Sequence, residues 1–273
     1  MKNKLKIIFN GFSMTYGAES IYDGKDIHKD NFENSYPFLL GKKLKNVDVA
    51  NLSVCGKSNY QIFCHNIDYL FKNISDKENF IFITQWSWFS RFPKIVSVPQ
   101  LEEILKTADN TIRFGQLTGK EKLDRVIPGD DFLSFLFHDE NEGKFWYDVD
   151  PLSGDGRYEL SWDLLDNMSL LIILSYMNLL DNYNVKNLNY ISQPLHHIKF
   201  SPVFMGSHIP EEKYNLCSIK KEILSHKNFL MDNWVKEFIC KKEFLRKNNH
   251  ASVEAHQLWA NKLLRILRDR KYV

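Results

Sequence analysis

Over the first 90 residues the apolar positions fall in short blocks, and the blocks alternate between two periodicities. Residues 5–9 form a near-continuous apolar run that stops at Asn10-Gly11, the pattern of a buried strand entering a tight turn. Ser35 precedes Tyr36-Pro37-Phe38-Leu39-Leu40-Gly41-Lys42-Lys43-Leu44, which predicts a capped helix with proline in its first turn. Residues 47–54 read as a second strand leading to Cys55-Gly56. Ser58 or Asn59 can cap the next helix, whose Phe63, Ile67, Leu70, Phe71 and Ile74 follow helical spacing. Residues 80–84, Phe-Ile-Phe-Ile-Thr, predict a third buried strand. Strand, turn, helix and strand in this order imply a parallel sheet with helices on both faces.

The pattern loosens further on. Residues 93–160 hold Pro93, Pro99, Pro128 and Pro151 among scattered aromatics such as Phe145, Trp146 and Tyr147. They are expected to be an irregular insertion or lid on the functional edge of the sheet. Residues 162–180 are apolar and long enough for a buried helix, and residues 188–191 predict a fourth parallel strand. A second irregular stretch follows over 193–215. The last helix is expected to start near Ser252, with Ala255, Trp259, Leu263 and Leu267 as its apolar stripe. Arg265, Arg268, Arg270 and Lys271 lie at its C-terminal end, where the helix dipole favours cations.

Composition narrows the classes. Lys and Arg number 36 against 34 Asp and Glu, a net charge of +2, so the basic excess of a phosphate-binding surface is missing and no nucleic-acid partner is expected. The 44% of hydrophobic residues argues against a disordered chain. Cys55, Cys64, Cys217 and Cys240 show no CxxC spacing, so neither a zinc site nor a redox pair is expected. No secretory leader or membrane span stands out, and a reduced, cytoplasmic location without a membrane partner is the expectation. His196-His197 would point to opposite sides of an extended segment. Asp130-Asp131, Asp139-Glu140 and Asp148/Asp150 lack the spacing of a calcium loop. No metal or other cofactor is expected.

Candidate chemistry gathers where the strands end. Ser13, just past the first strand in Asn10-Gly11-Phe12-Ser13-Met14-Thr15-Tyr16-Gly17, would project at the carboxyl edge, where open α/β sheets take their ligands. The same placement suits a plain helix N-cap. Gly56, in Asn51-Leu52-Ser53-Val54-Cys55-Gly56-Lys57-Ser58-Asn59, can offer a bare backbone N–H or simply make a strand-exit turn. His250 opens His250-Ala251-Ser252-Val253-Glu254-Ala255-His256-Gln257-Leu258-Trp259-Ala260. Its loop position leaves the ring free to face a substrate, whereas His256 falls inside the helix and reads as a packing residue.

These three segments resemble conserved blocks of the SGNH (GDSL-like) hydrolase family. Gly11-Phe12-Ser13-Met14-Thr15-Tyr16-Gly17 is similar to the family's GDSxTxG block, with Phe12 in place of Asp. Gly56 stands at the family's oxyanion glycine, and the 250–260 run is similar to the block whose first His is the catalytic base. The resemblance implies a three-layer α/β/α, flavodoxin-like SGNH fold, a single domain over residues 1–273, and ester hydrolysis. Ser13 is then the nucleophile and His250 the base, and the N–H groups of Ser13 and Gly56 receive the oxyanion.

The sequence departs from the family in two further places. The family carries an Asp two or three residues before its His, and Lys247 and Asn248 stand there. Asn248 can orient the ring but supplies no charge. The family's GxND after the third strand is replaced by Thr84-Gln85-Trp86-Ser87-Trp88-Phe89-Ser90-Arg91. Gln85 or Ser87 is the candidate to complete the oxyanion hole. Trp86 and Trp88 are candidates for a sugar-stacking wall or for ordinary packing, Arg91 for an anionic group and Asn59 for substrate contact. The expected substrate is a small-molecule or glycan ester, deacylated through an acyl-enzyme. The alternatives are an impaired SGNH-like module that binds a glycan or a protein, and an O-acyltransferase using the same Ser–His pair.

Overall fold

The computed structural model describes residues 4–24, 28–55, 57–87, 92–97, 144–149, 162–191, 203–204, 207–208, 216–231, 242–246 and 250–273. A four-stranded parallel sheet runs in the order β2-β1-β3-β6, where β1 is Leu5–Asn10, β2 Val47–Asn51, β3 Phe80–Trp86 and β6 Lys186–Ile191. The helices are α1 (Ser13–Tyr16), α2 (Lys29–Glu33), α3 (Tyr36–Gly41), α4 (Asn59–Lys72), α5 (Trp162–Asn182), α6 (Leu216–Ser225) and α7 (Val253–Asp269).

Strand alternation makes the three layers. Ile7, Phe9, Ile81, Ile83, Leu188 and Tyr190 point to one face, where Tyr36 and Leu40 of α3 and Trp259 and Leu263 of α7 bury them. Ile8, Phe80, Phe82 and Trp86 point to the other face, under α4 and α5. Each fully buried aliphatic side chain here contributes about 1.5–3 kcal/mol. The α/β/α arrangement with a parallel sheet is therefore the one expected. The β6 edge is covered by a short run of chain: the Asn189 N–H donates to the Asn228 carbonyl (2.8 Å) and the Leu230 N–H donates to that of Asn189 (2.7 Å), which leaves little open edge on that side.

Local signals decide the ends. Ser58 rather than Asn59 caps α4: its hydroxyl accepts the Gln61 N–H, and the Gln61 carboxamide receives the Ser58 N–H, a reciprocal capping box. Ile74 falls beyond α4, in the 3-10 turn Ile74–Asn79. Helix α3 stops at Gly41 and strand β2 at Asn51, short of the 36–44 and 47–54 expected. Gly41 lies close to β2, and a Cβ there would come within 2.8 Å of Val49 Cγ2.

The 93–160 stretch is not wholly irregular. Strands β4 (Phe92–Ser97) and β5 (Lys144–Val149) pair antiparallel, with Ile95 opposite Trp146. The prolines that suggested a loop include Pro93, which sits one residue into β4, a place a strand tolerates in a two-stranded sheet with open edges. A second small pair joins β7 (Val203–Phe204) to β8 (Ser207–His208) inside the other stretch expected to be irregular. Among the described residues, no helix is long and apolar enough to cross a membrane.

Candidate active site

Ser13 is the first residue of α1, and the N-cap position belongs to Phe12, which has no side-chain capping bond. The plain cap reading of Ser13 therefore falls. Its side chain is nearly buried, at 7% exposure, and makes no hydrogen bond with another described residue. Phe12, the residue before it, is buried in the α3/α7 core.

The turn around Ser13 is tight for two reasons. Gly11 admits no side chain, because a Cβ would lie 2.1 Å from Thr15 Oγ1 and 3.0 Å from the Gln85 carbonyl. Gly17 closes α1 in the left-handed region, at φ +91°, and its N–H donates to the Ser13 carbonyl at 3.0 Å.

A chain of buried hydroxyls lies beneath the turn. The Trp259 Nε1–H donates to Tyr190 Oη (3.2 Å), Tyr190 to Tyr36 (2.6 Å), Tyr36 to Thr15 Oγ1 (3.0 Å), and Thr15 to Gln85 Oε1 (2.6 Å). It links α7, β6, α3, α1 and β3. Burial, then the neighbouring Tyr190, pushes the Tyr36 phenol well above its ordinary pKa, so these groups stay protonated and keep their donors. On the other face Asn10 joins β1 to α4: its amide donates to Asn66 Oδ1 (2.8 Å) and its oxygen receives the Gly11 N–H (2.8 Å) and the Lys57 ammonium (3.1 Å). Lys57 also donates to the Leu52 carbonyl and meets His65 Nδ1. Burial first, then the Lys57 ammonium, holds the His65 imidazole down to about 2.

The expected site residues separate into groups. Gln85 is fully buried, and its oxygen is engaged by Thr15 below the Ser13 turn. Ser87 and Asn59 are also buried and hold each other: the Ser87 N–H donates to Asn59 Oδ1 (2.7 Å), and the Asn59 amide donates to the Ser87 carbonyl (3.4 Å) and to Ser169 Oγ (3.2 Å). This clamp ties the β3 exit to α4 and α5. Trp86 faces the core under α5, where its ring lies edge-on to Tyr176 with centroids 5.3 Å apart and its Nε1–H donates to Asn189 Oδ1. Of the two roles open to Trp86, packing is the one observed, because strand alternation turns position 86 inward under a covered face. Gly56, Trp88, Arg91, Asn248 and the His196-His197 pair lie outside the described residues, as do the Asp130-Asp131 and Asp139-Glu140 loops.

His250 and His256 occupy different worlds. His256 is fully buried on α7, its Nδ1 accepts the Tyr36 N–H (3.2 Å), and burial first, then His250, presses its imidazole down to about 3. His250 sits ahead of the Ser252 cap, in a segment fixed by the Arg246 N–H bond to the His250 carbonyl (2.8 Å) and the Ser252 N–H bond to the Phe244 carbonyl (2.9 Å). Its side chain is 19% exposed, and Nδ1 lies 2.9 Å from Glu19 Oε2. No hydrogen bond joins Ser13 to His250. Arg246 adds two more ties to the same loop, to Asp23 Oδ1 (3.2 Å) and to the Ile21 carbonyl (2.7 Å).

Glu19 is the residue that sequence reasoning missed. It follows Ser13 by six positions, on the loop that leaves α1, and no periodicity or motif marks it. The pairing is long-range and arises only when α7 packs across the sheet beside α3. The loop itself is held by Asn31, whose side-chain oxygen accepts the N–H groups of Ile21 (2.8 Å) and Tyr22 (3.0 Å).

No family model matches the chain, and no curated protein matches it. Among solved structures it is similar to the psychrotrophic esterase EstA from Pseudoalteromonas sp., at 10% identity over 98% of this chain and 99% of that one, with a TM-score of 0.48. It is similar to TesA at 9% identity over 97% and 98% of the two chains, TM-score 0.48. It is also similar to a carbohydrate esterase whose active site is described as having divergent catalytic and non-catalytic binding functions, at 12% identity over 98% and 69%, TM-score 0.44. At such identities the chemistry of this chain rests on its own residues.

Proposed function

We propose that the chain is a serine esterase of the SGNH type that removes an acyl group, such as acetyl, from a carbohydrate or other small-molecule ester. One observation supports this above all: the segment bearing His250 is strapped to the loop that continues from Ser13, through Glu19, Ile21 and Asp23. The loop that leaves the Ser13 turn and the segment ahead of the last helix are thereby tied to each other, which supports reading their hydroxyl and imidazole as one pair. A serine hydroxyl is a weak nucleophile and needs such a base.

In the proposed reaction Ser13 Oγ attacks the ester carbonyl as His250 Nε2 takes its proton. The backbone N–H groups of Ser13 and Gly56 receive the oxyanion. The imidazolium then protonates the departing alcohol, which leaves an acyl-enzyme on Ser13, and water attacks that ester with His250 again as base. No cofactor takes part. Asn59 supports the site from beneath by clamping the Ser87 backbone, Thr15 fixes the Gln85 oxygen, and the Gln85 amide or the Ser87 hydroxyl is the proposed third donor to the oxyanion. The carbohydrate part of the reading rests on the family resemblance and on Trp88 and Trp146, with Trp86 withdrawn into the core.

The test is hydrolysis of p-nitrophenyl acetate and of a panel of acetylated sugars by the full chain. Turnover by the wild type should fall by at least about 10³-fold in both Ser13→Ala and His250→Ala. Equal rates in wild type and Ser13→Ala would contradict the proposal.

A further inference from the structure

The SGNH pattern supplies its acid from just before the histidine, and this chain has Lys247 and Asn248 there. We infer that Glu19, on the nucleophile's own loop, is the charged positioning residue that orients His250 and stabilises its imidazolium. The inference rests on the reading of Ser13 and His250 as nucleophile and base.

Four features of the structure support it. The Glu19 side chain is 5% exposed, so its carboxylate is held in a low-dielectric setting beside the ring. Its two oxygens divide their partners: Oε2 faces His250 Nδ1 at 2.9 Å, and Oε1 receives the Gly24 N–H at 3.0 Å. A buried carboxylate persists only when it is paired and hydrogen-bonded in this way. Glu19 also adopts φ +54°, the left-handed region that glutamate rarely enters. That backbone is kept by a surrounding frame, with the Ser20 N–H on the Gly17 carbonyl (3.2 Å) and the Asn31 bonds to residues 21 and 22. Finally, Arg246 brackets the contact from the histidine side by holding Ile21 and Asp23.

The proton count follows from the donor inventory. An ionised carboxylate only accepts, so Nδ1 must carry the hydrogen it shares with Glu19. The Nε2 lone pair is then left for the Ser13 proton. When that proton arrives, the imidazolium is paired with Glu19, and the proton passes on from Nε2 to the leaving alcohol while Nδ1 keeps its own. Glu19 never becomes protonated. The arrangement also couples nucleophile and base mechanically. Gly17, Glu19 and Asp23 all lie on the loop leaving Ser13, so a change in that loop moves the acid together with the serine.

The test compares Glu19→Gln and Glu19→Asp with wild type, Ser13→Ala and His250→Ala in the full chain. Glu19→Gln keeps the shape and loses the charge. Its kcat should fall by about 10²- to 10⁴-fold, with KM changed by less than about threefold, because Glu19 touches no substrate. Glu19→Asp keeps the charge and should recover at least tenfold of that loss. Nitrogen-15 NMR of the His250 ring provides a readout independent of turnover: the wild type should carry the proton on Nδ1, and Glu19→Gln should shift it toward Nε2. A Glu19→Gln enzyme within threefold of wild type, beside inactive Ser13→Ala and His250→Ala, would overturn the role of Glu19 and leave the esterase reading standing. If no variant nor the wild type hydrolyses any ester, the esterase reading fails by itself. The NMR comparison then decides Glu19: an unchanged tautomer overturns its role, and a shifted one upholds it. Should Glu19→Gln not fold, the wild-type ring spectrum decides: a proton on Nδ1 upholds the role of Glu19, and a proton on Nε2 overturns it.

Discussion

Replacing Thr15 by Val removes one hydroxyl from the middle of the buried chain and leaves the shape almost unchanged. Thr15 Oγ1 makes two of the bonds, receiving from Tyr36 (3.0 Å) and donating to Gln85 Oε1 (2.6 Å). Each polar atom left wanting in a buried site costs about 1–3 kcal/mol, so two independent losses would cost about 2–6 kcal/mol. The structure limits this cost. Tyr36 Oη already stands 3.4 Å from Gln85 Oε1, so a few tenths of an ångström of movement lets the two remaining groups bond directly. The recovered bond satisfies both groups, so the net loss is one hydrogen bond, about 0.5–1.5 kcal/mol. For a chain of this size that lowers Tm by roughly 1–6 °C. Urea unfolding should show a lower midpoint with an unchanged slope, since the surface exposed on unfolding stays the same. A loss below about 0.5 kcal/mol would refute the claim that the hydroxyl chain holds the Ser13 turn. A loss above about 5 kcal/mol would refute the direct Tyr36–Gln85 repair.

Three other predictions bear on the same corner. Gly11→Ala should destabilise the fold by about 1–3 kcal/mol and lower esterase kcat, because its Cβ would strike Thr15 Oγ1 at 2.1 Å; a variant as stable and active as wild type would show that the turn yields freely. Ser13→Ala should leave stability within about 1 kcal/mol of wild type, as its hydroxyl makes no hydrogen bond among the described residues, and a substitution that removes a functional group can even stabilise; a drop of 3 kcal/mol would mark Ser13 as structural. Acid should destabilise the protein early: His256 and His65 titrate near 6.5 when unfolded but only at about 3 and about 2 when folded, so each bound proton favours the unfolded state and stability falls as pH drops below 6.5, by about 1.4 kcal/mol per unit per histidine. His256→Gln should remove about half of that slope between pH 6.5 and 5, and a profile flat in that range contradicts the assignment of two histidines held neutral in the fold.

The layers of this fold were legible because periodicity records burial. Ile7 and Ile8 face opposite cores, and the apolar run at residues 5–9 announces a strand covered on both sides. The stripe Ala255, Trp259, Leu263 and Leu267 is fully buried as its spacing requires. Ser13 and His250 became candidates for a different reason, since each lies where a patterned element begins. What stayed hidden depends on contacts between distant segments. Glu19 sits in a loop with no period, and only the packing of α7 beside α3 brings His250 to it. Trp86 carries the reverse lesson: at the end of an apolar strand its ring reads equally as wall or core, and the presence of α5 above that face decides for core. Antiparallel β4 and β5 escaped notice because Pro93 reads as a strand breaker and the partner strand lies about fifty residues away in the chain.

The most direct test of the central claim is covalent labelling of the full chain with a fluorophosphonate, followed by peptide mass mapping. Such probes react with a serine whose hydroxyl is activated by a neighbouring base. The account predicts a single adduct on Ser13, absent from Ser13→Ala and strongly slowed in His250→Ala. Labelling that persists in Ser13→Ala, or a wild-type chain that takes up no probe, contradicts it.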